Sequence, residues 1–146
     1  YYHKIGDDQS KDELIYQDAS NPNMYHYGGV TEDERFFVLY AAPGTDGYAV
    51  YYKDLNKNNS KFVTLFEGYK NKSSVVHNIG EKMLVQTDID APKYRLIELD
   101  INKPDPKNWK ELIPENDNLL RSISTGGGKL FASYLKDATT RIYQHI

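Results

Sequence analysis

Four histidines, His3, His26, His77 and His145, are the residues of this 146-residue chain best suited to acid–base or metal chemistry, and their spacing serves neither. A helical zinc pair needs His-x-x-x-His with further ligands at set distances. These four are scattered without such linkage and read as surface or strand-edge side chains. Asp88-x-Asp90 offers two hard oxygen ligands. A calcium loop needs several more at fixed positions, so a polar hairpin tip is expected instead. A hydrolytic serine needs a Gly-x-Ser-x-Gly elbow, whose glycines let the backbone strain and present Oγ. The chain holds none. Gly126-Gly127-Gly128 has no serine between its glycines and reads as a turn leading into a strand. Asp7-Asp8 and residues 56–60 (NKNNS) are turn material, rich in side chains that bond their own backbone. No catalytic residue, metal ligand set or cofactor motif is encoded, and the chain alone is expected to be inactive.

The elements that such residues decorate must therefore carry the function. Hydrophobic residues make up 39% and charged residues 27%, which suits a soluble folded chain and not a disordered tail. Thirteen tyrosines stand against one tryptophan. Tyrosine is a strand former with an apolar body and a polar tip, so half-buried β positions are expected. The net charge of −3 and the lack of a Lys/Arg block argue against a nucleic-acid partner. Disulfides and cysteine-ligated zinc are excluded because there is no cysteine, which leaves the compartment open. No apolar run approaches the roughly 20 residues that span a bilayer, so no membrane partner is expected. The chain opens at Tyr1 without an initiator Met, and a preceding segment is expected to be absent or processed.

A repeat organises the chain. Residues 35–40 (RFFVLY), 82–87 (KMLVQT) and 129–134 (KLFASY) each set a basic residue before an apolar-rich run, after a turn. Their first residues are 47 positions apart in both intervals (82 − 35 and 129 − 82). A second row, 51–55 (YYKDL), 97–101 (IELDI) and 142–146 (IYQHI), recurs at 46 and 45 (97 − 51 and 142 − 97). It alternates apolar and polar residues, the pattern of a strand with one covered face. Short pairs at Leu14-Ile15-Tyr16, Leu65-Phe66 and Leu112-Ile113 form a looser third row.

Sheets of four antiparallel strands repeated every 40–50 residues are the blades of a β-propeller. The expected fold is all-β, an arc of about three propeller blades. Each apolar run is expected as an inner strand covered on both faces, each YYKDL-type run as the next strand but one, and each short pair as the outer edge. Residues 1–18 would end one blade, 25–67 and 73–114 would be full blades, and 119–146 an incomplete blade of three strands. A compact β-sandwich would also give short strands, but not two rows repeating within one residue.

The ordered details resemble the prolyl oligopeptidase (prolyl endopeptidase) family. Tyr1-Tyr2-His3-Lys4-Ile5-Gly6, Gln9-Ser10 and Asp12-Glu13-Leu14 are similar to the stretch that ends one of its propeller blades. Gly28-Gly29, Thr31-Glu32-Asp33 and Arg35 resemble the lead-in to the next inner strand. Gly44-Thr45-Asp46 with the YYKDL run, residues 91–96 (APKYRL) and residues 109–115 (WKELIPE) continue in register. Two positions depart: Glu34 stands where a turn glycine is common, and Gly47 where proline often follows.

This resemblance implies a seven-bladed propeller that covers an α/β-hydrolase domain holding a Ser, Asp and His triad. The parent would be a serine endopeptidase, cytoplasmic or periplasmic, whose propeller gates access of short proline-containing peptides. By the same resemblance Tyr27 faces the central cavity, and Thr45 sits in a loop that approaches the catalytic chamber. A stand-alone propeller-type module binding peptides or proteins is the alternative function, and a small β enzyme with an unrecognised site a third. An arc of blades leaves faces and edges uncovered, so self-association is expected, with the strand near Leu14 completing another copy's last sheet.

Overall fold

The computed structural model describes residues 1–145. Ile146, which ends the third IYQHI run and the expected 119–146 unit, lies outside the described residues. Strands β1 (Tyr25–Val30), β2 (Phe36–Ala42), β3 (Ala49–Asp54) and β4 (Val63–Phe66) form one antiparallel sheet in that order. β5 (Ser73–Ile79), β6 (Lys82–Thr87), β7 (Arg95–Asp100) and β8 (Lys110–Ile113) repeat the pattern. β9 (Leu119–Gly126), β10 (Lys129–Lys136) and β11 (Thr139–His145) make a three-stranded sheet. The described helical structure consists of two short 3-10 turns, Gln9–Lys11 and Pro106–Asn108. The fold is all-β, and its meander sheets pack face to face as propeller blades do.

Period-2 alternation explains how one strand serves two seams. On β2, Phe36 and Val38 point into a core shared with Met83, Val85, Ile97 and Leu99 of the second sheet. Leu39 points the other way and is equally buried. β6 does the same: Met83 and Val85 face the first sheet, while Leu84 joins Leu120, Ile123 and Ala132 in a core shared with the third. Such strands read as continuous apolar runs because neither face meets water.

Two strand expectations are corrected. The YYKDL-type run is not the strand after next. β2 pairs directly with β3 (Phe36 opposite Asp54) and β6 with β7 (Lys82 opposite Asp100). Each apolar run already has a hydrogen-bonded strand before it, β1, β5 or β9, whose apolar residues are interrupted by polar ones or glycine, so a search for apolar runs passes over it. The edge strand expected at Leu14-Ile15-Tyr16 does not form either. Only Tyr2 and Glu13 pair, through two backbone hydrogen bonds of 2.8 and 3.0 Å. No further ladder flanks that bridge among the described residues, and Tyr16 instead packs against His26, Tyr51 and Phe62 on the outward face of the first sheet.

Chain direction sorts the connections. The β1–β2, β5–β6 and β9–β10 turns share one end of the sheets, the hairpin end. The β2–β3 and β6–β7 loops and the sheet-to-sheet links β4–β5 and β8–β9 share the other, the loop end. Glu34, flagged above as replacing a turn glycine, adopts the left-handed φ of 59° that glycine would favour.

Candidate functional site

Tyr27, Tyr40 and Tyr48 form an aromatic cluster where the first two sheets meet. Tyr27 on β1 lies directly opposite Tyr40 on β2, and their rings stack at 4.8 Å with planes 7° apart. Tyr48, just before β3, stands edge-on to both, at 6.0 and 5.4 Å. Cross-strand aromatic pairs of this kind contribute about 0.5–1.5 kcal/mol beyond their area. The second sheet anchors the cluster. The Val75 N–H donates to the Tyr40 hydroxyl at 3.1 Å, and the Tyr48 hydroxyl and Ser74 Oγ share a 2.6 Å hydrogen bond. Tyr27 alone remains 49% exposed.

Burial pushes the Tyr40 phenol up to about 12 and raises Tyr27 and Tyr48 in the same direction. All three are neutral phenols at physiological pH. They offer ring faces for stacking and hydroxyls for hydrogen bonding, the properties of a binding surface. Gly28, the next residue on β1, keeps the strand close to its neighbour: a Cβ there would stand 2.7 Å from the Val38 carbonyl oxygen.

The residues singled out by sequence scatter differently. Thr45 is exposed in the β2–β3 loop, three residues before Tyr48, so one loop carries both. His26 packs against Tyr16 with the ring planes tilted by 54°, His77 Nδ1 lies 3.5 Å from Glu32, and His3 Nδ1 lies 2.6 Å from Asp12. Asp88 accepts the Lys72 N–H at 2.8 Å, tying the β6–β7 loop to the start of β5. Gly127 and Gly128, both at positive φ, turn β9 into β10. Among the described residues no group of three or more His, Cys, Asp or Glu side chains is placed to hold a metal, and no helix is long and apolar enough to cross a membrane. Sequence reading missed Tyr40 and Tyr48. Tyr40 was visible only as part of an apolar run, because nothing local reveals that it faces Tyr27.

A second polar cluster closes the same seam at the hairpin end. Arg35 Nη2 reaches Asp54 and Glu81, each at 3.3 Å, and Asn78 Nδ2 donates to Asp33 at 2.6 Å. Burial alone would raise the Asp54 carboxyl, but the Asn56 N–H and the Arg35 guanidinium outweigh it and hold it below the usual range. Asp33 is likewise lowered, with hydrogen bonds from Thr31 and Asn78 overcoming burial. A carboxylate depressed in the folded state contributes stability that is present above its unfolded value, about 3.9, and lost as pH falls through the folded one. The urea midpoint is expected to hold down to about pH 5 and then fall, and Asp54→Asn should flatten the fall. An identical acid dependence in Asp54→Asn would refute this assignment.

Sheets of this order and packing define blades of a β-propeller. The chain belongs to the family described as the prolyl oligopeptidase N-terminal β-propeller domain, whose model matches residues 1–146. The prolyl endopeptidase of Elizabethkingia miricola is 39% identical over 99% of this chain, and prolyl oligopeptidase A of Galerina marginata 32% identical over 98%. The chain covers 20% of the length of each, about a fifth of the curated relatives it matches. A solved prolyl endopeptidase, studied for inter-domain dynamics in catalysis and specificity, superposes with a TM-score of 0.88 at 32% identity, over 98% of this chain and 21% of that one. Prolyl oligopeptidase B of Galerina marginata, bound to a 35mer hydrolysis and macrocyclization substrate, superposes at 0.91 with 24% identity, over 99% of this chain and 21% of that one. That second likeness concerns the fold alone.

Proposed function

We propose that this chain is a non-catalytic part of the propeller of a prolyl oligopeptidase-type serine endopeptidase, and that the propeller gates access of short proline-containing peptides to the active site. The Ser-Asp-His triad then belongs to an α/β-hydrolase domain of the parent chain. Tyr27 is the wall residue on this reading, with Thr45 on the loop nearest the chemistry. The observation that supports it is the half-exposed Tyr27 ring, held rigidly by Tyr40 and Tyr48, whose hydroxyls are anchored in the next sheet. A ring held in place loses little freedom when a peptide stacks on it, so its contact energy goes into affinity.

The test is kinetic. In the full-length parent, Tyr27→Ala is expected to raise KM for a short proline peptide about tenfold with kcat nearly kept, since one aromatic contact is worth roughly 1–1.5 kcal/mol. The isolated chain should neither hydrolyse a chromogenic Gly-Pro substrate nor take label from an active-site serine probe. Turnover by the isolated chain would overturn the division of labour, and an unchanged KM would remove Tyr27 from the wall.

A further inference from the structure

The seams on the two faces of the second sheet are closed differently. The first is tied at both ends. At the hairpin end Arg35 reaches Glu81, which Asn102 Nδ2 holds at 2.6 Å, and Asn78 reaches Asp33. At the loop end the Tyr48 N–H donates to the Asn71 carbonyl at 3.0 Å, and the Tyr48 hydroxyl meets Ser74. The cavity left in this seam is small, about 170 Å³.

Among the described residues the second seam is tied only at the loop end. Gln86 Nε2 donates to the Leu120 carbonyl at 2.8 Å, the Leu120 N–H to the Lys93 carbonyl at 3.0 Å, and Lys93 Nζ to the Asp117 carbonyl at 2.8 Å. The 47-residue repeat shows why the other end differs. Arg35 corresponds to Lys82, Glu81 to Gly128, Asp33 to Gly80, and Asn78 to Thr125. Both acids of the latch are glycines here, and Lys82 bonds Glu98 within its own sheet at 2.8 Å. Among the described residues no side-chain hydrogen bond or ion pair joins the second and third sheets at the hairpin end. A cavity of about 520 Å³ lies at this end, lined by Ile79, Leu84, Leu112, Leu130 and the Gly126–Gly128 turn, and also by Glu32 and Asp33 of the first sheet's β1–β2 turn.

We propose that the seam between the second and third sheets is a hinge, pinned at the loop end and free to part at the hairpin end, while the seam between the first and second is latched. Parting exposes Leu84 and leaves Met83, the adjacent residue on β6 with its side chain in the other seam, covered. At rest the two are 3% and 0% exposed, with Leu84 on the cavity wall and Met83 away from it, so the response of each rate to Glu81→Gln carries the comparison.

The chain has no cysteine, which makes single-thiol labelling clean. Leu84→Cys and Met83→Cys variants of the full chain are reacted with a soluble disulfide reagent, and each rate is normalised by that variant's global unfolding equilibrium from urea melts. Leu84→Cys is expected to react at least tenfold faster than Met83→Cys, with a rate insensitive to low urea because hinge opening exposes little surface. Adding Glu81→Gln should raise the Met83→Cys rate several-fold and leave Leu84→Cys unchanged. Equal normalised rates at the two positions would overturn the hinge. A Met83→Cys rate indifferent to Glu81→Gln would overturn the latch.

Discussion

Phe36→Ala is expected to destabilise the chain by about 3–5 kcal/mol, the range for deleting a fully buried aromatic ring when the hole cannot close. Phe36 has no exposed surface and meets Tyr52 edge-on at 5.7 Å. The Arg35 guanidinium carbon lies 4.7 Å above its ring centroid, so the ring also supports the cation of the hairpin-end latch. Collapse around the hole is limited because Val38, Met83 and Leu99 belong to strands whose ladders fix their positions. A thermal shift of roughly 10 °C accompanies that loss in a chain of this size. Phe37→Ala is the control: its ring packs edge-on against Phe62 on the outward face, where solvent fills part of any gap, and a smaller loss is expected. Urea melts decide it. A Phe36→Ala loss under 1.5 kcal/mol would mean that the two sheets do not share a packed core.

Gly47→Ala carries the second large effect, for a reason of backbone proximity. An added Cβ would stand 2.6 Å from the Tyr69 carbonyl oxygen and 2.7 Å from the backbone N and O of Asn71. Real Cβ atoms do not approach backbone that closely, and both partners are main chain, so the β2–β3 loop or the β4–β5 link must move. Overpacking of this kind costs about 3 kcal/mol where the backbone has to shift. Here the damage is directional. The adjacent Tyr48 would lose its 3.0 Å N–H bond to Asn71, and with it the register of the Tyr48 hydroxyl on Ser74. Gly47→Ala should therefore lower stability and also loosen Tyr27, seen as faster aromatic ring flipping by NMR. Wild-type stability in Gly47→Ala would show that the loop is free to move aside.

Much of this fold is legible in the sequence. The basic-apolar runs at 35, 82 and 129 begin or immediately precede β2, β6 and β10, because residues covered on both faces must be apolar without interruption. Two of the short pairs, Leu65-Phe66 and Leu112-Ile113, lie in the edge strands β4 and β8. The run at Leu14-Ile15-Tyr16 failed because an edge strand needs a ladder to join, and among the described residues only the Tyr2–Glu13 bridge is there.

What the sequence alone determined was periodicity and fold class, which depend on composition and spacing along the chain, and family, which rests on the ordered resemblance of its motifs. Tertiary structure alone decided which side chains meet across strands and seams: Tyr27 on Tyr40, Arg35 on Glu81, Gly47 against Asn71. Those meetings depend on strand register and on how far one sheet lies from the next. Residues tens of positions apart are brought to within a few ångströms by packing, and no local pattern encodes that distance.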